Sequence, residues 1–388
     1  MKNNKWITLD ELKVTSRTMS LSGINPWIIH NAGARGYMSA TALSGVTQIC
    51  NPQESIVQST HVELGKGVMN VIVDVDSEIY TYFIKRDRSG GIIELVLVLV
   101  DVVTREHFSL KVPRYSDNNY TYGFEYLWEP IVNNILNGIT RYLPKSTVIA
   151  RTPGSKENMG YALGITFQTI GLSHPTTAED CYLITESASK RGKVKVYSRI
   201  TISYGLNSVL TNSYGNTNQY KPFPYVGEKL RDDRMVCTIR KFDETNILTR
   251  CHKKAMLDTH PAFDECVYAP HPNGKVVNIE VVESPRNKKG IVDLNNYIKT
   301  NVNRENQFYE SIVRYNDKVS KDPNIILDPE LTNLVVKAKF NMLAINQVGK
   351  VIKKKNKDRL DLYTVTFTIE HELVLNNGYK MTNLHGGL

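Results

Sequence analysis

Ile92–Val103 reads IIELVLVLVDVV. The run has 12 residues and contains Glu94 and Asp101, well short of the roughly 20 apolar residues a membrane-spanning helix needs. Its Val and Ile residues are stiff at the β-carbon and fit a pleated, buried surface. The run therefore predicts a buried strand pair, and with it a β-rich fold.

The chain on either side continues in that sense. Val71, Val73 and Val75 alternate with Ile72, Asp74 and Asp76, and Tyr80, Tyr82 and Ile84 extend the rhythm, the period of a half-buried strand. Val194, Val196, Ile200 and Ile202 form another set. Val276, Val277, Ile279 and Val281 form a third, after the turn signal Pro272-Asn273-Gly274. Tyr363–Ile369, YTVTFTI, is the last clear strand, and Asn376-Asn377-Gly378 is the turn that follows it. Helical periodicity is rarer. Leu127–Tyr142 places Ile131, Ile135, Leu136 and Ile139 on one face, and Asp328–Gln347 carries the stripe Leu331, Leu334, Val335, Leu343. Asp328 before Pro329 predicts an N-cap followed by proline in the first turn. Leu294–Val319 reads as a polar helix. Asn207–Pro224, rich in Asn, Ser, Thr, Tyr and Gly, and the basic run Lys350–Arg359 read as insertions or exposed loops.

Composition sets the outer bounds. The 388 residues carry 48 Lys plus Arg against 39 Asp plus Glu, a net charge of +9. This permits contact with a polyanion through phosphate neutralisation without establishing it. With 41% hydrophobic and 22% charged residues the chain is globular, neither fibrous nor intrinsically disordered. The N-terminus, MKNNKWITLDELK, has no apolar core of the secretory kind. Five cysteines, Cys50, Cys181, Cys237, Cys251 and Cys266, contain no C-x-x-C, so a reducing compartment is expected.

Several familiar site patterns fail on spacing. His371-Glu372 opens like a metalloprotease helix, but Leu375 stands where the second histidine would share the metal. Asp74 and Asp76 look like paired metal carboxylates, yet alternation in the predicted strand turns them to solvent. Cys251, His252, His260, Cys266 and His271 match no zinc spacing. No phosphate-binding glycine loop is present.

Four segments, in order, resemble the β subunit of multisubunit DNA-directed RNA polymerases. In Asn25–Met38, NPWIIHNAGARGYM, Pro26, His30, Arg35 and Met38 fit the family's I-P-F-x-x-H-x-x-x-x-R-x-x-M. In Val148–Glu186, Val148-Ile149-Ala150, Ala162-Leu163-Gly164, Phe167, Glu179-Asp180 and Leu183–Glu186 follow V-I-A-D-G-P-S, A-L-G-x-N-V-x-V-A-F and N-x-E-D-(S/A)-I-L-(I/V)-S-E with nearly the same spacing. Val226–Glu244 and Asn273–Val282 are more loosely similar to the flap, or wall, domain. In Tyr363–Leu388, Gly378, Lys380, Met381, His385 and Gly386 match G-D-K-M-A-G-R-H-G, with Tyr379 and Leu384 as departures.

The resemblance implies a mixed α/β, β-rich fold with a double-psi β-barrel core and an inserted flap or wall domain. Residues 1–50 would be a nucleotide-facing segment and 51–145 a β-rich, hybrid-like elaboration with one helix. Residues 146–204 and 351–388 would be the two parts of the barrel, with 205–350 inserted between them. It assigns Arg35 to the triphosphate of the incoming nucleotide, where a guanidinium fork suits phosphate oxygens. Glu179 and Asp180 would lie near the second Mg²⁺, with Asp180 as an indirect ligand. Lys380 and His385 would contact RNA, Lys380 at its reacting 3′ end. The family's aspartate triad, N-A-D-F-D-G-D, belongs to the β′ subunit and is absent from this sequence. Mg²⁺ would be held mainly by that partner, and this chain would be inactive alone.

The match covers about the third quarter of a bacterial β subunit. That implies a split subunit of the kind carried by giant tailed bacteriophages, completed by other β and β′ fragments. It would act on DNA template and RNA in the cytoplasm of the infected bacterial host, with no membrane partner. Because the sequence ends at Leu388 within the lysine motif, the remainder is expected to be encoded downstream. Glu179-Asp180 and Lys380 are expected on one face, within about 20 Å, to reach one nucleotide. The alternative is a non-catalytic nucleic-acid-binding or interaction protein that keeps a polymerase-like core. A single-chain, RNA-templated polymerase is disfavoured because it would need its own aspartate triad.

Overall fold

The computed structural model describes residues 32, 34, 70–87, 90–116, 123–155, 165, 167–171, 175, 181–205, 208–216, 218–241, 264–283, 296–346 and 361–378; at 283, 296–302, 342–346 and 361–362 the backbone alone is described. In chain order the strands are β1 (Val71–Ile72), β2 (Ser77–Arg86), β3 (Ile92–Asp101), β4 (His107–Pro113), β5 (Leu127–Trp128), β6 (Tyr142–Leu143) and β7 (Val148–Arg151). They continue as β8 (Val194–Gly205), β9 (Ser208–Leu210), β10 (Met235–Lys241), β11 (Asp264–Tyr268), β12 (Lys275–Glu283) and β13 (Asp361–Leu373). The helices with described bounds are α1 (Ile131–Leu136), α2 (Glu186–Arg191), α3 (Asn296–Val319) and α4 (Pro329–Asn346). The described chain is β-rich and built of curled antiparallel sheets, including a half-barrel.

The chain divides into two compact units, one from Met1–Asp76, Phe124–Lys195 and Val374–Leu388, the other from Ser77–Gly123 and Val196–Leu373. In the second unit, Ile92–Val103 forms one strand and not the expected pair. β3 runs to Asp101, whose carboxylate accepts the Val103 and Thr104 amides and turns the chain back. Leu95–Leu99 are fully buried on both faces of this strand, which lies between β2 and β4. Val96 and Val98 share a core with Phe83 of β2, Phe308, Ile312 and Val319 of α3, and Leu331, Leu334 and Val335 of α4. The predicted stripe of α4 is thus the buried one as far as Val335. Asp328 Oδ2 accepts the Glu330 amide at 3.1 Å, the expected cap ahead of Pro329.

Beside this core lies a buried ion cluster. Lys85 Nζ sits 3.1 Å from Glu305 and 3.4 Å from Glu280, and Arg199 lies 3.6 Å from Glu280. Glu305 Oε2 is buried without a hydrogen-bond partner among the described residues.

A second core in the same unit fills the space between β8, β12 and β13 and the sheet β9-β10-β11. Val276, Ile279 and Val281 face Val365, Phe367 and Ile369 across the β12–β13 ladder. Phe223 packs edge-on against Phe367, with ring centroids 5.1 Å apart. Asn207–Pro224, expected as an exposed loop, contributes to this core instead. Phe223 and Leu210 are buried, and the Tyr214 and Tyr220 hydroxyls donate to the carbonyls of Met235 and Leu210. Its Asn and Ser side chains close local turns rather than signalling exposure.

Two other expectations are corrected. The rhythm from Val71 to Ile84 is not one strand, since the backbone breaks between Ile72 and Ser77. In β2 the buried positions are Ser77, Phe83 and Lys85, while Tyr80 is exposed. Leu127–Tyr142 is not one helix. α1 is a six-residue turn flanked by β5 and β6, and Gly138 (φ 71°) ends it and leaves Ile139 exposed. Asn137-Gly138 supplies the left-handed stop that the apolar periodicity concealed.

Candidate functional site

Arg35, Glu179, Asp180, Lys380 and His385 all lie outside the described residues, as does the basic run at 350–359. What is described is chain close to four of them, with Ala34 directly before Arg35. Cys181 and Tyr182 follow Asp180, and Gly378 stands two residues before Lys380. Both stretches belong to the first unit.

That unit is framed by β7, the Val148-Ile149-Ala150 motif. β7 pairs antiparallel with β1 on one edge and β5 on the other, and Ile149 and Ala150 are fully buried. Asn70 fixes the exit from β7, its Oδ1 accepting the Thr152 amide at 3.0 Å and its Nδ2 donating to Ser155 Oγ at 2.8 Å. Arg151 forms an ion pair with Glu129 and donates to the Ser155 carbonyl.

The second motif ends on a capped helix. Thr185 is extended (φ −68°, ψ 154°), and its Oγ1 accepts the Ala188 amide at 3.2 Å, as an N-cap should. Glu186 in the first turn and Lys190 and Arg191 in the last complement the helix dipole. The Arg191 guanidinium lies over the Phe167 ring, 5.3 Å from its centroid, a cation–π contact that ties the middle of the motif to its end.

Residues 374–378 are stitched to this helix and to the chain leading into it. The Gly378 amide donates to Tyr182 O at 3.0 Å, and the Ile184 amide to Asn377 Oδ1 at 2.7 Å. Ser189 Oγ donates to Leu375 O at 2.6 Å. The Leu375 side chain lies against Gly192, where an added Cβ would meet Leu375 Cδ1 at 2.2 Å. Two motifs separated by more than 180 residues in sequence thus meet at one junction. Gly378 takes φ 86° there, a left-handed conformation that costs a residue with a β-carbon about 1–2 kcal/mol. Gly378→Ala is therefore expected to lower the unfolding free energy by about that amount. Gly171→Ala, where the backbone is not left-handed and nothing lies within 4 Å of the added carbon, is expected to stay within about 0.5 kcal/mol. Urea midpoints of the two variants test this.

The surroundings are basic. Glu186–Lys195, ESASKRGKVK, carries four cationic side chains to one carboxylate, a setting for a polyanion. The sequence reading missed this run and the part played by Asn377 and Ser189. Counting charge over ten-residue windows would have found the run; the two hydrogen bonds carry no local sequence signal.

Of the patterns rejected in the sequence, Cys251, His252 and His260 lie outside the described residues. His371 lies in a strand, fully buried, with Nε2 2.8 Å from Ser198 Oγ and Nδ1 3.2 Å from the Pro272 carbonyl. Burial of both Ser198 and His371 denies that pair a substrate. Asp76 is exposed and accepts the Lys145 amide. Among the described residues no group of three or more His, Cys, Asp or Glu side chains could hold a metal ion, and no helix is long and apolar enough to cross a membrane. No family model matches the chain, and no curated protein matches it.

Proposed function

We propose that this chain is part of the β subunit of a multisubunit DNA-directed RNA polymerase, a nucleotidyltransferase whose site is completed by β′. The observation that carries the reading is the junction of Tyr182 with Gly378. Asp180 and Lys380 each stand two residues from it, about 7 Å of chain at full extension. This supports one nucleotide addressed from both motifs. The adjacency of β8 and β13 in one sheet supports joining the 146–204 and 351–388 stretches. The double-psi barrel with its inserted wall domain belongs to the same proposal.

In this reading Arg35 grips the triphosphate through its planar fork and Lys380 places a point charge at the RNA 3′ end. His385 contacts the RNA. Glu179 and Asp180 would lie near the second Mg²⁺, Asp180 as an indirect ligand. Mg²⁺, held mainly by β′, would supply charge neutralisation at the reacting phosphate; the residues of this chain would supply positioning and charge. The partners are other β and β′ fragments, DNA template and RNA, in the cytoplasm of an infected bacterium. A second reading, nucleic-acid binding without catalysis, is favoured by the basic run Glu186–Lys195.

The test is the complex that co-purifies with this chain from infected cells. Lys380→Ala is expected to reduce its RNA synthesis about 100-fold or more, the scale of losing a preorganised charge at a reacting centre. Unchanged synthesis would remove Lys380 from the site. A co-purifying set without β′ fragments would favour the binding reading.

A further inference from the structure

The turn between β2 and β3 and one face of α3 enclose a cleft of about 400 Å³ in the second unit. Arg304, Gln307, Phe308 and Ser311 line it because positions i, i+3, i+4 and i+7 share a helical face. Tyr82 and Arg86 line it from β2, where alternate residues share a side.

The described ends of the turn, Asp87, Gly90 and Gly91, are joined by hydrogen bonds. The Asp87 amide donates to Gly91 O, the Gly90 amide returns to Asp87 O, and Asp87 Oδ1 accepts the Gly91 amide at 2.7 Å. Gly90 takes φ 91°, the left-handed conformation that glycine tolerates. The two arginines are anchored to this turn. Arg86 Nη1 donates to Gly90 O at 2.8 Å, and Arg304 Nη1 donates to Asp87 O. Neither guanidinium makes another hydrogen bond or a salt bridge among the described residues. With five N–H donors each, both keep most of their donor capacity at the rim of one cleft. The Asp87 carboxylate, the acidic group lining it, is engaged by the Gly91 amide.

Two oriented guanidinium ions without a carboxylate partner call for an anion, and their forks match phosphate. The rest of the lining narrows the class. Tyr82 offers an aromatic wall. Ser311 Oγ spends its proton on Phe308 O at 2.6 Å and so presents lone pairs, while Gln307 is exposed and can both donate and accept. Such groups suit sugar hydroxyls and base edges, and the volume falls within the range of small-ligand sites.

We infer that this cleft binds a nucleotide unit, with Arg86 and Arg304 on its phosphate and Tyr82 against its ring. The inference goes beyond the polymerase reading and needs neither Lys380 nor a partner subunit. Free nucleotide and single-stranded nucleic acid share this chemistry, and the arms of the test separate them.

Full-length protein is titrated against a fluorescein-labelled dT 12-mer by anisotropy and against AMP by calorimetry. Arg86→Glu is expected to weaken binding about tenfold or more, and to lower the salt dependence of oligonucleotide binding by about 0.7 for each phosphate no longer neutralised. Lys318→Glu, exposed further along the same helix, is expected to stay within about twofold. Arg304→Lys keeps the charge and removes the fork, so it reports on the site if Arg86→Glu lowers the thermal midpoint. Weakened binding of both probes assigns the site to a single nucleotide; weakened binding of the oligonucleotide alone assigns it to a strand. Binding within about twofold of wild type in both arginine variants, or no binding of either probe to the wild-type chain, overturns the inference.

Discussion

Asp264→Ala is expected to destabilise the unit formed by Ser77–Gly123 and Val196–Leu373 by about 3–5 kcal/mol, the cost of removing the carboxylate half of a buried ion pair. Arg240 and Asp264 stand directly opposite each other on β10 and β11. Their contact is a fork, with Nε to Oδ1 at 2.5 Å and Nη2 to Oδ2 at 3.0 Å, and both side chains are only 4% exposed. Without the carboxylate the guanidinium remains buried, and arginine cannot shed its charge. The neighbouring diagonal contact, Lys241 with Glu265, is more than half exposed. Glu265→Ala there is expected to cost at most about 1 kcal/mol, because solvent screens the pair. Replacing both buried partners, Arg240→Met with Asp264→Leu, should restore most of the stability, since the desolvation penalty disappears together with the attraction. Urea midpoints of the three variants decide it. An Asp264→Ala cost no greater than that of Glu265→Ala would mean that the Arg240 charge finds water.

The second large effect is on the pH profile of stability, where two buried groups act in opposite directions. Burial and the neighbouring His271 ring push His371 down to about 4 from its ordinary 6.5, against the Pro272 carbonyl that favours its proton. The neutral ring accepts from Ser198 through one nitrogen and donates to Pro272 O through the other. Adding a proton would leave the Ser198 hydroxyl facing a second donor. Between about pH 6.5 and 4 the unfolded chain therefore binds more protons than the folded one. Stability supplied by His371 is complete above 6.5 and is lost as the pH falls, about 3 kcal/mol over the window.

Glu305 works the other way. Burial, aided by Glu280, raises it from 4.5 to about 7 against the pull of Lys85. The folded chain then binds the extra proton, and stability falls as the pH rises from 4.5 to 7. The wild-type profile should be shallow where the two windows overlap. Glu305→Gln should expose a stability that climbs toward pH 6.5, and His371→Gln one that declines toward pH 7. Urea midpoints at half-unit intervals separate the two, and parallel profiles in both variants would refute the assignment.

The β-rich character was legible because alternation and β-branching act locally. Val276–Val281 and Tyr363–Ile369 became facing strands with their apolar residues inward. The Asp328-Pro329 start of α4 was equally plain, since a cap and a proline act within one turn. Where the reading failed, a distant surface or a short polar signal outweighed the local pattern. Ile92–Val103 looked like two strands, but one strand buried on both faces needs just such a run. Leu127–Tyr142 kept a helical period that Gly138 cut short. Phe223 sat in a segment whose composition suggested exposure and was drawn into the core by Phe367. At the candidate site the motif residues could be named from sequence, whereas their frame could not. No local rule joins Asn377 to Ile184 across 193 residues.

The sequence by itself determined which stretches take extended backbone, because alternation and β-branching act over the nearest few residues. It also determined the order of the motifs and the excess of positive charge. Only the tertiary structure decided that the chain after Asp180 and the chain before Lys380 meet, that Arg86 and Arg304 share one cleft, and that Lys85 and Arg240 are buried with their acids. Contacts of that kind join residues far apart in the chain, and their free energy depends on what else is brought near and how much water is expelled.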